Sequence, residues 1–224
     1  MKKSVYSLVL MDDVVKAIDQ MAYEQNTSRS NLINQLLAEK VMLTTPEMRM
    51  KDIFDKMMDA MEDEKKFQVQ LQPSDYCISI RSVLEYKYNP TIRYFIELYR
   101  TGDTAIGELK LTSRSQSSDL QSYLYKFFKY FSKLEQVYIA KYYPATSLPQ
   151  FKNGGEGRFI RKLVLIDTGH ALTTDAIAIA MGDYVQVLDG LLGIYLTHLH
   201  DMEMGARKIE KEYIGFLNSN PTLL

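Results

Sequence analysis

The sequence predicts an α+β protein in three parts. Residues 4–10 divide with period 2 into two largely apolar faces, and apolar and polar residues alternate with period 2 through residues 67–113, which is typical of strands. Apolar residues recur every three to four positions in the segments between and after these stretches, which indicates helices. Short turns separate the alternating runs and favour an antiparallel meander. We therefore expect a strand–helix–helix unit in residues 1–45, a connector helix in residues 46–66, and an α+β sensor or oligomerisation domain in residues 67–224.

The composition is that of an ordinary globular protein. The 224 residues are 46% hydrophobic and 25% charged, and the formal net charge is −1. This charge argues against a protein coated in nucleic acid but allows one local DNA-binding face. The single cysteine, Cys77, excludes an intrachain disulfide and fits a cytoplasmic location. No signal peptide is visible, and acidic residues interrupt the apolar segment 176–199, so no membrane contact is predicted.

The first 43 residues form the unit on which the functional prediction depends. In residues 4–10 the side chains divide between two faces, which are Tyr6, Leu8 and Leu10 on one side and Val5, Ser7 and Val9 on the other. Helical periodicity begins at Asp12, which is placed to cap a first helix, and Ser28 is placed to cap a second. One strand leaves its backbone groups unpaired, and two short helices cannot bury their own apolar faces. The unit therefore requires a second copy of itself.

This order of elements resembles the ribbon–helix–helix DNA-binding family, which has the fold of the Arc and MetJ repressors. The residues that carry the resemblance are Leu10, Asp12-Asp13-Val14, Ser28-Arg29-Ser30 and Leu32-Ile33. The resemblance implies an intertwined homodimer, or a higher homo-oligomer, whose two-stranded ribbon enters the major groove of double-stranded DNA. It also implies that the N-terminus of the second helix holds a phosphate.

Two groups of DNA-contacting residues follow from the resemblance. The base-reading group is Lys3, Val5, Ser7 and Val9, and the phosphate-binding group is Lys2, Ser28, Arg29 and Ser30. The two valines depart from the polar or basic readers usual in the family, because they offer only apolar contact, for example to a thymine methyl group. The predicted function is that of a sequence-specific, repressor-type transcription regulator.

Two other functions remain open at this stage. In one, the chain is an antitoxin or partition-type factor whose C-terminal domain binds a protein partner. In the other, the ribbon–helix–helix unit serves only for dimerisation, and its strand is buried beneath another element. The first 45 residues carry five basic and five acidic side chains, so their charge does not decide between these functions.

The remaining elements follow from periodicity and turns. Thr44-Thr45-Pro46-Glu47 predicts a helix start, followed by an apolar stripe rich in methionine. This helix is either a connector with a solvated face, or its methionine stripe packs against the dimer mate or the C-terminal domain and couples the two halves. Four strands are then predicted, at residues 67–72, 76–81, 92–99 and 105–111. A long helix from Ser117 ends at Pro144, residues 144–157 form a loop, and residues 158–167 are ambiguous. A last helical region begins after Thr173 and ends near Leu217, with glycines that can mark a break.

The second domain offers a candidate ligand-binding wall but no catalytic residue. Its aromatic and guanidinium groups suit a flat or anionic small molecule, and the wall consists of Arg81, Tyr86, Tyr88, Arg93 and Tyr94. The alternative is that these side chains only pair across strands on an outer face. His198 and His200 point in opposite directions on a helix and cannot share a metal, and His170 lacks a nucleophile. We therefore predict no enzyme activity, metal or cofactor, and a small-molecule or protein effector.

Overall fold

The chain is a mixture of helices and one antiparallel sheet, in agreement with the predicted α+β class. The computed structural model describes residues 4–61, 66–71, 76–87, 89–100, 105–143, 150–153, 158–165 and 172–219. The helices are α1 (Asp12–Glu24), α2 (Arg29–Lys40), α3 (Pro46–Met61), α4 (Ser118–Ile139), α5 (Thr174–Thr197) and α6 (Met202–Ser219). The strands are β1 (Phe67–Leu71), β2 (Cys77–Val83), β3 (Thr91–Leu98), β4 (Gly107–Ser113), β5 (Phe151–Asn153) and β6 (Phe159–Leu163).

The six strands form one sheet in the order β1-β2-β3-β4-β6-β5, and every pair is antiparallel. The first four strands are the predicted meander. The ambiguous segment 158–167 contains β6, which pairs with β4. The predicted loop at residues 144–157 is partly wrong, because β5 lies within it and pairs with the edge of β6. The partner strand β6 follows after residues 154–158, so the segment rich in Pro and Gly contains a strand that its turn residues concealed. Residues 144–149 and 154–157 lie outside the described chain.

One face of the sheet is covered by helices and the other is open. In β3, Ile92, Tyr94, Ile96 and Leu98 are buried, whereas the residues between them are partly exposed. The covered face belongs to a single hydrophobic core, in which Phe128 of α4 stacks on Phe159 of β6 with ring centroids 4.7 Å apart. The open face carries the polar residues of the same strands and is available for a ligand.

Helix α3 belongs to this core. Thr45 caps it, because its Oγ1 accepts a hydrogen bond of 3.1 Å from the backbone N–H of Met48. Its apolar stripe is buried, including Met57 and Met61, and both side chains lie beside Gly182 of α5. The methionine stripe therefore joins α3 to the second domain, as one of the two sequence interpretations expected.

Helix α5 is the central helix of the domain. It begins at the predicted cap, where Thr173 Oγ1 accepts a hydrogen bond of 3.2 Å from Ala176 N–H. It is the one described helix long and apolar enough to cross a membrane, and 61% of that apolar window is buried within the fold. The predicted break in the last helical region falls after Thr197, and α6 resumes at Met202.

Two glycines near this break allow a matched stability prediction. A Cβ at Gly205 would lie 2.8 Å from Cβ of His198, whereas a Cβ at Gly193 would meet nothing within 4 Å. We expect Gly205→Ala to destabilise the protein by about 1–3 kcal/mol through overpacking. Gly193→Ala should stabilise it by up to about 1 kcal/mol through helix propensity. Urea unfolding of the two variants checks this, and equal effects would contradict the close contact at the break.

Candidate functional site

Residues 4–11 form no strand in the single chain, so the strand predicted for residues 4–10 is absent there. A lone segment has no neighbour to pair with, and regular strand structure requires one. All side chains of residues 4–10 are exposed in the single chain. Val5 and Val9 are fully exposed, at 99% and 103%, and on the opposite face the exposed fraction falls from 85% at Tyr6 to 60% at Leu8 and 41% at Leu10.

The N-terminal unit exposes most of its large apolar side chains. Fourteen exposed large hydrophobic residues lie between Val5 and Leu43, against seven in the rest of the described chain. Helix α1 buries only Ala22, and α2 buries only Leu32 and Ala38. Contiguous apolar surface of this kind marks an interaction site on a soluble protein. The unit is therefore incomplete as a single copy.

The N-terminus of α2 differs in part from the prediction. Ser28 caps the helix, since its Oγ accepts a hydrogen bond of 3.2 Å from Asn31 N–H. The Arg29 guanidinium donates two hydrogen bonds of 2.5 Å to Asp19 of α1, and these bonds raise the pKa of Arg29. Because Asp19 neutralises that charge, the Arg29 side chain links α1 to α2 instead of standing free for a phosphate. The backbone N–H groups of Arg29 and Ser30 remain the phosphate-binding groups of the predicted site.

Two smaller points concern the same unit. Helix α1 begins at Asp12 itself, after Met11, and has no side-chain cap, so the predicted capping role of Asp12 is wrong. Asp12 and Asp13 instead lie in the first turn, where their charges favour the positive end of the helix dipole. Lys2 and Lys3 lie outside the described residues.

A second candidate site is a cavity of about 720 Å³ on the open face of the sheet. Its polar lining includes Gln68, Arg81, Tyr86, Lys87, Arg93 and Arg114. Three of the five residues predicted for the ligand-binding wall, Arg81, Tyr86 and Arg93, are thus brought together. Tyr88 lies outside the described residues.

Tyr94 was wrongly assigned to this wall. It is fully buried on the opposite face of β3, where its hydroxyl donates a hydrogen bond of 2.7 Å to Asp189 of α5. Successive residues of a strand point to opposite faces, so Arg93 and Tyr94 cannot share one pocket. The same alternation could have identified Arg114. Thr112 of β4 pairs with Arg93, and Arg114 follows Thr112 by two residues, which is the spacing of residues on one face.

A tight connection between β2 and β3 holds Tyr86 at the cavity. Tyr86 N–H donates to Leu84 O at 2.9 Å, and its own carbonyl accepts from Asn89 N–H at 2.8 Å. Asn89 has a φ of 44°, a left-handed conformation that asparagine tolerates better than most residues. The Tyr86 ring meets Tyr123 of α4 edge-on, with centroids 6.3 Å apart. This loop therefore fixes an aromatic wall beside the arginines.

The cavity is strongly cationic. Arg81 of β2 pairs directly with Arg93 of β3 in the strand register. Burial lowers the pKa of Arg93, and the like charges of Arg114 and Arg81 lower it further. Within the described residues, none of these arginines forms an ion pair with a carboxylate. Of the acidic residues that the structure describes, Asp119 alone lines the cavity.

The other end of the open face shows the opposite arrangement. Lys110 lies 2.9 Å from Glu97 and 2.6 Å from Glu108, and Lys162 lies 2.6 Å from Glu108. Partial burial raises the pKa of Glu108, but hydrogen bonds from Lys110, Lys162 and Tyr99 lower it by more, to about 2. Lys110 and Lys162 are therefore neutralised within the fold, in contrast to the three arginines of the cavity.

A buried polar cluster lies in the core and was not predicted. Arg161 Nη2 is 2.7 Å from Glu135 Oε1, and Tyr184 donates a hydrogen bond of 3.0 Å to Glu135 Oε2. The guanidinium of Arg161 also lies over the Tyr184 ring, 4.4 Å from its centroid. All three residues are buried, with Glu135 at 0% and Arg161 at 1% exposure, so the cluster holds the core together without facing solvent.

The histidines do not assemble a metal site in the part of the chain that the structure describes. His198 Nδ1 lies 2.8 Å from the carbonyl of Ile194, and Nε2 lies 3.0 Å from Lys208 Nζ. No group of three or more His, Cys, Asp or Glu residues among the described positions could hold a metal ion. His170 lies outside those positions.

Comparison with known proteins returned no match to a protein-family model, to a curated protein or to a solved structure. The fold and the two sites define an α+β chain with an unpartnered apolar N-terminal unit and a cationic cavity. The function is therefore argued from this geometry.

Proposed function

We propose that this protein is a cytoplasmic, homodimeric, sequence-specific DNA-binding transcription regulator, and that its second domain senses a ligand. The observation that carries the proposal is the exposed, two-faced segment of residues 4–10 directly before two helices that expose their apolar sides. A second copy of the same chain is the occupant that completes this unit.

Pairing of two copies would satisfy the unpaired backbone groups of residues 4–10 and cover the exposed apolar side chains of the N-terminal unit. The two segments of residues 4–10 would form an antiparallel ladder and satisfy each other's backbone N–H and C=O groups. Leu8 and Leu10 would then face the helices and pack against apolar side chains that are exposed in the single chain, such as Val14, Leu36 and Leu37. Burial of this surface supplies the free energy of dimerisation.

The outer face of that ribbon is the proposed DNA-reading surface. No described element of the chain covers Val5 or Val9, which favours DNA binding over the alternative in which the strand is buried beneath protein. Ser7 can donate to or accept from a base edge, the valines can contact thymine methyl groups, and Lys3 can reach a guanine. Phosphates would be held by Lys2 and by the first-turn N–H groups of α2.

The second domain is better suited to sensing than to wrapping a partner. Its core includes a six-stranded sheet and four helices, whereas an antitoxin of the usual kind binds its toxin through a disordered tail. The cationic cavity on its open face gives it a place for an effector.

Selection of bound duplexes from a random DNA pool tests the proposal, because no operator has to be assumed. We expect the full-length protein to enrich a short inverted repeat, as the two-fold symmetry of a dimer requires. In gel-shift titrations of that repeat, Lys3→Ala with Ser7→Ala should weaken binding about tenfold or more. The log of the affinity should fall with the log of the salt concentration with a slope of minus several units.

Lys126→Ala with Lys129→Ala is the matched control, because both side chains are exposed on α4 far along the chain from the ribbon. This control should bind the selected repeat as the wild type does. Failure to enrich any sequence, or wild-type affinity of the ribbon variant for the selected repeat, would exclude the proposed DNA-reading surface.

A further inference from the structure

We propose that the cavity formed by Arg81, Arg93 and Arg114 binds a small phosphorylated molecule, with the phosphates on the arginines and a flat ring against Tyr86. This inference rests on the sensor role proposed above and gives it a ligand class. It depends on the cavity alone, so it can be tested in the absence of DNA.

The first argument is the unbalanced charge of the cavity. Arg81 and Arg93 are directly opposed on neighbouring strands, where Cβ atoms lie about 4.5–5.5 Å apart and like charges are destabilising. On the same face, Lys110 and Lys162 lie beside the carboxylates of Glu97 and Glu108. Among the described residues no carboxylate forms an ion pair with Arg81, Arg93 or Arg114, so their charge leaves a place for an external anion.

The second argument is the set of hydrogen-bond donors. Each guanidinium presents five N–H donors in a planar fork that matches two oxygens of a phosphate. The register places Gln68, Arg81, Arg93 and Thr112 side by side in one row across four strands, so neutral donors flank the two arginines. The N-terminus of α4 also borders the cavity, and its dipole adds positive potential there.

The third argument is the size and surroundings of the site. A volume of about 720 Å³ lies within the range of small-molecule sites, which is about 300–1,000 Å³. Beyond the cavity, Lys110 and Lys162 are already paired with Glu97 and Glu108, so they offer no free charge to a continuing phosphate backbone. A compact anion therefore fits better than a strand of nucleic acid.

Isothermal titration of the full-length protein tests the inference, with pyrophosphate, ATP and a single-stranded oligonucleotide as probes at one ionic strength and without duplex DNA. We expect saturable binding of pyrophosphate or ATP at one molecule per chain, with a Kd below about 1 mM. Arg81→Gln with Arg93→Gln should weaken that binding at least about 30-fold, since each charge-assisted contact is among the strong ones. Lys126→Gln with Lys129→Gln removes the same net charge from the α4 surface and should change it less than about twofold.

Three results would overturn the inference. They are no saturable binding of either phosphate compound, equal binding by the arginine variant and the wild type, and tighter binding of the oligonucleotide than of both compounds. None of them bears on the DNA selection experiment, so the two proposals fail separately.

Thermal unfolding of the free protein separates a ligand-binding role from a structural one. Because the arginines repel each other, Arg81→Gln with Arg93→Gln should raise the Tm of the free protein by about 1–3 °C. The same variant should lose the increase in Tm that pyrophosphate or ATP gives the wild type. A clear fall in the Tm of the free variant would show that the arginines stabilise the fold, and would overturn their assignment to a ligand.

Discussion

Glu135→Ala is expected to destabilise the protein by about 3–5 kcal/mol, a large part of the stability of a typical domain. Glu135 and Arg161 are buried together, and both Nε and Nη2 of the guanidinium bond to the carboxylate, at 2.9 and 2.7 Å. Burial lowers the pKa of Arg161, but the facing charge of Glu135 raises it by more, so Arg161 stays protonated. Removal of the carboxylate therefore leaves a charged group in the core without its partner.

Two companion variants locate the cause of that loss. Glu135→Gln keeps the side-chain volume and an oxygen acceptor, so it should lose less stability than Glu135→Ala. The double variant Glu135→Met with Arg161→Met removes both charges and refills the space with apolar atoms, so it should be more stable than either single methionine variant. Urea unfolding at pH 7 measures all of these. A double variant whose loss equals the sum of the single losses would contradict the coupling of the two residues.

The sequence predicts the elements that local periodicity determines. The caps at Ser28, Thr45 and Thr173, and the meander in residues 67–113, are all present. A cap acts within one turn, and a hairpin connects neighbouring strands, so the necessary partners lie close in the chain. Strand β5 escaped prediction because it is stabilised by pairing with β6 in a segment rich in turn residues.

The candidate sites were predictable to different degrees, because only some of their contacts follow from local sequence patterns. Arg81 and Arg93 carry a visible cationic and aromatic pattern, and the cavity contains both. The assignment of Tyr94 to the same wall as Arg93 was wrong, because the period of 2 in this stretch puts neighbouring residues on opposite faces. The ion pair of Arg29 with Asp19 joins two helices, so the spacing of residues within one helix does not predict it.

Helix α3 joins the N-terminal unit to the second domain. It follows α2 after a short connection and is embedded in the core of the second domain through Met50, Phe54 and Met57. The methionine side chains on its buried face can repack more readily than branched ones.

Leu8→Asn with Leu10→Asn is expected to weaken dimerisation about 100- to 10,000-fold. In the single chain these two leucines together leave about one full leucine side chain exposed per protomer. Burial of that area in both protomers of a dimer contributes about 3–6 kcal/mol, which corresponds to this range of dissociation constants. Light scattering over a range of protein concentrations measures the change, and DNA binding should fall with it because a monomer has no ribbon.

Val5→Asn with Val9→Asn is the control on the opposite face of the same segment. Val5 and Val9 point outward in the proposed ribbon, so this variant should remain dimeric while its preference for the selected DNA changes. The valines and the leucines belong to opposite faces of the segment, and a shift of the strand pairing by one residue would exchange these faces. If the valine variant dissociates and the leucine variant remains dimeric, the ribbon has the opposite orientation, and Val5, Ser7 and Val9 cannot be the residues that read DNA.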